Sequence, residues 1–314
     1  MTQNPKITII GAGAWGTTLA YLLVRSHHNA TIWSRHSSES LLSVITDTDV
    51  IISAVSMKGV KPIIEQLRQI QIKDSALIVT ATKGLDFETT KTPSQILQEA
   101  FPHHPIIVLS GPNLSKEIQK GLPAATVVSC INTKAAELVQ NMFASDIFRV
   151  YINNDPIGTE VGGTLKNVMA IASGVCDGLK LGTNAKAALL TRALPEMIRV
   201  GTYLGASVET FFGLSGLGDL LATCDSPLSR NYQVGLGLAQ GKSLDEILHH
   251  LEGTAEGVNT ANVLIKLASQ EKISVPISYQ VYLLLKGKIT PQEAVQNLME
   301  RELKEEFWYL EFRI

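Results

Sequence analysis

Cysteine is scarce, and none is placed for work in pairs: Cys130, Cys176 and Cys224 stand far apart, with no CxxC and no Cys/His spacing. That argues against a structural zinc or a disulfide framework and points to a reducing compartment. A basic excess is also missing, since 27 Lys and Arg face 29 Asp and Glu for a formal net charge of −2. A nucleic-acid backbone would find no electrostatic hold, so nucleic acid is not an expected partner. No apolar run approaches the roughly 20 residues that cross a bilayer, and MTQNPKITIIGAG enters a strand almost at once, with no room for a signal peptide. Internal repeats, low-complexity tracts and clusters of metal ligands are absent as well, so no metal is expected. The expectation is a cytoplasmic protein. What the chain does have is length: 314 residues, 45% hydrophobic and 18% charged, suffice for one large domain or two ordinary ones.

Up to about residue 153, short β-rich runs alternate with amphipathic stretches of helical length. The runs are Lys6 to Ile10, Ala30 to Trp33, Val50 to Val55, Ala76 to Ala81, Pro105 to Leu109, Ala124 to Cys130 and Phe148 to Ile152. Between them, Val60 to Ile70, Thr92 to Phe101 and Thr133 to Phe143 repeat apolar residues every three or four positions. This is an α/β pattern, a mostly parallel sheet covered by helices. After Asp155 the β-rich runs stop and helical segments follow: Gly158 to Leu179, Ala185 to Leu204, Ser243 to Leu251, Val258 to Gln270, Ser278 to Lys286 and Pro291 to Leu298. Two domains are expected, an α/β one over 1–154 and an all-α one over 155–314. The apolar tail Phe307 to Phe312 reads either as a segment docked on the body or as a contact between subunits. Association into a homodimer stays open on that ground.

ITIIGAGAWG places glycines at 11, 13 and 16, a GxGxxG directly after a strand and opening a helix. Gly11 makes the tight turn, Gly13 lets the backbone approach a pyrophosphate, and Gly16 lets helix and strand pack closely. The phosphates would meet unpaired N–H groups at the helix N-terminus. Cofactor contacts are therefore expected on Gly11, Gly13, Ala14, Trp15 and Gly16. Where an NAD-specific site carries an acid at the end of the second strand, this chain reads Trp33-Ser34-Arg35-His36. Arg35 with Ser34 can accept a 2′-phosphate, which favours NADP over NAD; the alternative is a solvated surface arginine.

GAGAWGTTLA at 11–20, ATKGL at 81–85, SGPNLSKEI at 110–118, EVGGTLKNVMAIASG at 160–174, GLSGLGDLLATC at 213–224, SRN at 229–231 and AEGVNTA at 255–261 together resemble the NAD(P)-dependent glycerol-3-phosphate dehydrogenases of bacterial type. The resemblance runs in the family's order over nearly the whole chain. It implies reversible hydride transfer between NAD(P)H and dihydroxyacetone phosphate, giving sn-glycerol 3-phosphate, the backbone precursor of glycerophospholipids.

Lys166 lies in a helix continuing Val168-Met169-Ala170-Ile171-Ala172, where a lysine is costly unless partnered or used. Desolvation and nearby cations lower a lysine's pKa, which suits a proton donor near neutrality, and the resemblance gives Lys166 that role. A lysine reaching to the helix surface is the plainer alternative. Gly162 and Gly163 either clear space for nicotinamide or substrate, or pack the helix. Lys83 follows a strand at its carboxyl end, the edge where ligands bind in open α/β sheets. The resemblance implies that it touches both substrate and cofactor, and its charge could polarise the carbonyl. The resemblance further implies substrate contacts at Gly111 and Asn113, although many relatives carry Ser or Thr at the latter, and a cofactor contact at Ser115. Ser229, Arg230 and Asn231 suit a phosphate dianion, and the resemblance implies that they take the substrate phosphate, with Arg230 also near the cofactor; read bare, the triplet is a polar loop. Asp219 would orient Lys166 or bind the substrate hydroxyl, or else cap a helix. Glu256 and Thr254 are carried over as cofactor contacts, against the alternative of an exposed Glu.

One departure stands out. Relatives usually have a longer stretch between the second strand and the one matching Val50 to Val55, whereas residues 36–48 leave room for one short helix. The third strand of the 3-2-1-4-5-6 order is therefore expected to be absent, baring the edge of the second strand and opening a wall near the adenine ribose. Two other readings remain: a β-hydroxyacid or sugar-acid dehydrogenase with a similar helical half, and a catalytically idle nucleotide sensor. A carboxylate substrate would not need the SRN triplet, and an idle sensor would not need Lys83, Lys166 and Asp219 together.

Overall fold

The computed structural model describes residues 5–303, 305 and 306; the tail at 307–312 lies outside the described residues. The first half runs β1 (Ile7–Ile10), α1 (Ala14–Arg25), β2 (Ala30–Trp33), α2 (Leu41–Ile45), β3 (Val50–Ser53), α3 (Met57–Leu67), β4 (Leu77–Thr80), α4 (Pro93–Ala100), β5 (Ile106–Ser110), α5 (Ser115–Ile118), β6 (Ala124–Ser129), α6 (Thr133–Phe143) and β7 (Phe148–Asn153). The strands form one seven-stranded sheet in the order β2-β1-β3-β4-β5-β6-β7. Every neighbouring pair is parallel except β5 and β6, which run antiparallel. Every residue of β1, β3, β4 and β5 is buried. Helices cover both faces of these inner strands, which is why they read as unbroken apolar runs rather than as alternation.

As expected, the third strand of the 3-2-1-4-5-6 order is missing among the described residues, and β2 is the edge of the sheet. Residues 36–48 fold instead into a turn and the five-residue α2, capped by Ser40, whose side chain accepts the Ser43 N–H. Leu41, Val44 and Ile45 of α2 are buried with Trp33, Ile51 and Val60 in the core under one face. The opposite face packs Ile7, Ile9, Leu19 and Leu23 against Ala136, Val139 and Phe143.

The chain leaves the sheet at Asn153, and α7 (Pro156–Gly178) begins three residues later. Asp155 pins this junction: its Oδ1 accepts the Gly158 N–H at 2.8 Å, and its Oδ2 accepts the Ser207 N–H at 2.9 Å and the Thr210 hydroxyl at 2.7 Å. Nearly the whole of α7 is buried, its polar and charged residues Glu160, Thr164, Lys166 and Asn167 included. Around it stand α8 (Thr183–Tyr203), a 3-10 turn at Val208–Phe212, a π turn at Leu214–Gly218, α9 (Asp219–Cys224), α10 (Arg230–Ala239), α11 (Leu244–His250), α12 (Glu256–Glu271), α13 (Pro276–Leu285) and α14 (Pro291–Met299). α7 also touches β5, so the helical half meets the sheet at the carboxyl ends of its strands.

Read bare, residues 229–231 suggest a polar loop, and the structure corrects this. Ser229 is the N-cap of α10, accepting the Tyr232 N–H, and Arg230 and Asn231 form the first turn. Glycines such as Gly235 disfavour a helix by about 1 kcal/mol each relative to Ala, but here they permit close packing. A Cβ on Gly235 would fall 1.9 Å from the Ile171 carbonyl oxygen of α7. Tertiary approach overrides local propensity.

Candidate active site

The turn from β1 to α1 is built for close approach. Gly11 has φ +120°, and a Cβ there would lie 2.6 Å from the Ala54 carbonyl oxygen at the exit of β3. A Cβ on Gly16 would strike the Gly11 carbonyl oxygen at 1.9 Å, so helix and strand touch directly. Gly13, the N-cap of α1, has nothing within 4 Å of the place its Cβ would take. Open space therefore lies before the first-turn N–H groups of Ala14, Trp15 and Gly16, which a helix leaves without internal partners. This is the crevice where the strand order reverses, between β1 and β3, and it fits a dinucleotide pyrophosphate. Arg35 is exposed in the turn after β2, beside Ser34, whose N–H donates to Ser37 Oγ at 2.9 Å. Ser115 opens α5, which packs against α1, with Gln119 Nε2 donating to Thr18 Oγ1 at 2.8 Å.

The charged centre lies where the sheet meets α7. Lys83 follows β4, Lys166 is on α7, and Asp219 opens α9. The Asp219 carboxylate joins both cations: Oδ1 is 2.7 Å from Lys166 Nζ and Oδ2 is 2.5 Å from Lys83 Nζ. Asp219 and Lys166 are 1% and 7% exposed, so this is a buried centre with an excess positive charge. The first turn of α9 suits the aspartate. Lys166 Nζ also donates to Thr223 Oγ1 at 2.5 Å. Burial pulls the Lys166 ammonium down to about 8, aided by the neighbouring Lys83 and opposed by Asp219. A lysine that titrates there can give and take a proton near neutrality.

Lys83 Nζ reaches the Gly111 carbonyl oxygen at 3.4 Å, so Gly111 belongs to this centre. Asn113 is engaged elsewhere: its Nδ2 donates to the Ala125 carbonyl at 3.1 Å and its Oδ1 accepts the Thr126 hydroxyl at 2.9 Å. The structure gives packing at Gly162, while Gly163 faces the charged centre, with Lys83 Cε 3.3 Å and Asp219 Oδ2 3.6 Å from where its Cβ would sit. Added Cβ atoms would meet the Ser215 carbonyl oxygen at 2.8 Å and Ser110 Oγ at 2.3 Å. Ser110 Oγ is buried there without a hydrogen-bond partner.

A third cluster forms at the start of α10. Arg230 is exposed and lies over Gly253, where a Cβ would come 2.4 Å from its Nη1. Burial pushes the Glu256 carboxyl up, while the Met57 backbone N–H, Arg230 and Lys58 act the other way. Glu256 is thus half-buried at the first turn of α3, not an exposed Glu. Thr254 is exposed between Gly253 and Ala255. Asn231 is buried, with Nδ2 donating to Asn167 Oδ1 and Oδ1 accepting the Gly257 N–H, both at 2.9 Å. It ties α10 to α7 and α12, while Ser229 spends its hydroxyl on the cap.

Sequence reasoning missed Thr223, Asn167, Thr164, Glu160 and Ser110. Thr223 alone carried a signal, four residues after Asp219 and so on the same helical face.

The sequence model for the NAD-dependent glycerol-3-phosphate dehydrogenase C-terminus matches residues 155–296, and the model for its N-terminus matches 6–41 and 36–136. A glycerol-3-phosphate dehydrogenase [NAD(P)+] of Acaryochloris marina is 63% identical over 304 residues, 97% of this chain and 98% of the relative. The chain belongs to the NAD-dependent glycerol-3-phosphate dehydrogenase family. Within that family, the enzyme of the same name from Synechocystis is also 63% identical, over 96% of each chain. The crystal structure of glycerol-3-phosphate dehydrogenase from Coxiella burnetii superposes with a TM-score of 0.91 at 33% identity, covering 95% of this chain and 99% of that one. The two matches to the family's N-terminal model meet at 36–41, where this dehydrogenase chain lacks the third strand.

Proposed function

We propose that Lys83, Asp219 and Lys166 carry out the chemistry of a dehydrogenase acting between dihydroxyacetone phosphate and sn-glycerol 3-phosphate, with residues 1–154 holding the dinucleotide and 155–314 supplying the acid–base group and the phosphate site. The activity is that of the family: the chain is an NAD(P)-dependent glycerol-3-phosphate dehydrogenase, an oxidoreductase whose product is the backbone of glycerophospholipids. The observation that carries the residue assignment is the shared carboxylate, which holds two lysines together at the edge of the sheet where ligands bind.

The cofactor, when bound, supplies or accepts the hydride. Gly11, Gly13, Ala14, Trp15 and Gly16 would hold its pyrophosphate, Arg35 would favour NADP by pairing with a 2′-phosphate, and Ser115, Thr254 and Glu256 would line the remainder. Lys83 polarises the ketone oxygen. Lys166 donates a proton to that oxygen as it becomes an alkoxide and takes it back in the oxidising direction. Asp219 keeps both ammonium groups in place. Arg230 and the first-turn N–H groups of α10 take the substrate phosphate, which is a dianion above its second pKa near 6. Unpaired cysteines, all three buried, support a reducing, cytoplasmic setting. Among the described residues no helix is long and apolar enough to cross a membrane.

Oxidation of NADPH and NADH by purified protein tests the reading. Dihydroxyacetone phosphate should support it far better than dihydroxyacetone or a small β-keto acid. Faster turnover on the keto acid would favour the β-hydroxyacid dehydrogenase reading instead.

A further inference from the structure

The loop that carries Lys83 is tied to the helix that carries Lys166 at two points outside the charged centre. At the near end, the Gly84 N–H donates to Thr164 Oγ1 at 3.0 Å. At the far end, Ser94 in the first turn of α4 donates its N–H to Glu160 Oε1 at 3.0 Å and its hydroxyl to Oε2 at 2.5 Å. Thr164 and Glu160 are fully buried, four residues apart on one face of α7. Lys166 follows two residues after Thr164. Between these ties, α12 holds the same loop: Asn259 Nδ2 donates to the Leu85 carbonyl at 3.2 Å, and Lys266 Nζ to the Phe87 carbonyl at 3.1 Å.

The Glu160 tie does more than cap α4, where it takes the first-turn Ser94 N–H. That helix has its own capping box, in which Thr92 accepts the Gln95 N–H and the Gln95 side chain accepts the Thr92 N–H. Burying a carboxylate without a cation is costly, and the burial is felt, since it pushes the Glu160 carboxyl up to about 7 against hydrogen bonds from Ser94 and Thr92 alone. What Glu160 adds is a bond between the sheet half and α7. Gly84 shows how fixed the near end is: its φ is +151°, and a Cβ would press on Met57 at 2.9 Å.

We propose that Thr164 and Glu160 are positioning residues for Lys83, fixing its loop on α7 so that one helix sets the spacing of both lysines about Asp219 before substrate arrives. This rests on reading Lys83 as a group that touches substrate. Thr164→Val removes one acceptor at nearly constant volume, leaves a buried N–H unpaired, and should lower kcat about tenfold while the NADPH Kd stays within twofold. Glu160→Gln keeps an acceptor oxygen and should retain most of the activity that Glu160→Ala loses. The deciding measurement is a double-mutant cycle: in a Lys83→Met background, Thr164→Val should cost nothing further, because its effect passes through Lys83. Multiplying losses, or a cofactor affinity that falls in step with kcat, would overturn the proposal. A parent protein inactive on dihydroxyacetone phosphate would sink the functional reading instead. The positioning claim would then stand or fall on hydrogen exchange of residues 83–95, which must quicken in Thr164→Val.

Discussion

The cofactor turn and the lysine centre solve opposite problems at one edge of the sheet, beyond the carboxyl ends of its strands. At Gly11 to Gly16 the protein offers backbone and empty space: side chains are removed, Gly13 faces nothing within 4 Å, and the attraction is left to helix N–H groups. At Lys83, Asp219 and Lys166 it offers charge, with one carboxylate shared by two ammonium groups and Thr223 bonded to one of them. A pyrophosphate brings its own charge and needs only access. A ketone brings none, so the protein must hold ready the charge that the alkoxide will need, and hold it rigidly. The first site should therefore tolerate changes at its exposed rim, and the second should fail when one partner is lost.

Asp219→Asn should break the comparison most severely. It leaves two lysines at a buried site without their shared counter-charge, and removing one partner of a buried pair costs about 3–5 kcal/mol. Dihydroxyacetone-phosphate-dependent NADPH oxidation should fall by more than about 10²-fold, and urea unfolding should shift to lower concentration. A variant of parental stability and activity would mean that the lysines do not depend on Asp219. Arg230→Ala, at the exposed start of α10, should act more selectively. It should raise KM for dihydroxyacetone phosphate by about tenfold or more, the scale of a lost charge-assisted pair, and leave kcat/KM for unphosphorylated dihydroxyacetone nearly unchanged. Equal losses on both substrates would remove Arg230 from the phosphate site. Arg35→Asp should have the smallest effect on turnover. The new carboxylate repels a 2′-phosphate and not a 2′-hydroxyl, so Kd should rise for NADPH more than for NADH. An unchanged ratio in a fluorescence titration would place Arg35 outside the pocket.

The two regions also differ in how far the sequence discloses them. The glycine turn is legible because spacing and geometry coincide: each glycine answers a local steric demand next to a strand made of one apolar run. The bare edge at β2 was equally visible, because residues 36–48 cannot hold a helix and a strand. That β6 runs antiparallel to β5 was not, since a buried strand of either direction shows the same apolar residues. The lysine centre was legible only in part. Lys83, Lys166 and Asp219 are each marked by their motifs, but their junction spans residues far apart in the chain, and the sharing of one carboxylate is a property of packing. Thr164 and Glu160 look like ordinary polar residues of a helix until the loop after β4 is laid against them. α10 was hidden for the reverse reason, because the glycines that argue against a helix locally are what let it press on α7.

The central claim is that Lys166 is the group that passes the proton. The pH dependence of kcat/KM, measured in both directions above pH 7 where the substrate phosphate stays a dianion, tests it most directly. Ketone reduction needs the Lys166 ammonium and alcohol oxidation needs the neutral amine. Since burial lowers this lysine to about 8, reduction should fall and oxidation should rise as pH passes that value. In Lys166→Met both limbs should disappear, along with most of the turnover. Profiles that stay flat through pH 8, or limbs that persist in Lys166→Met, would contradict the account.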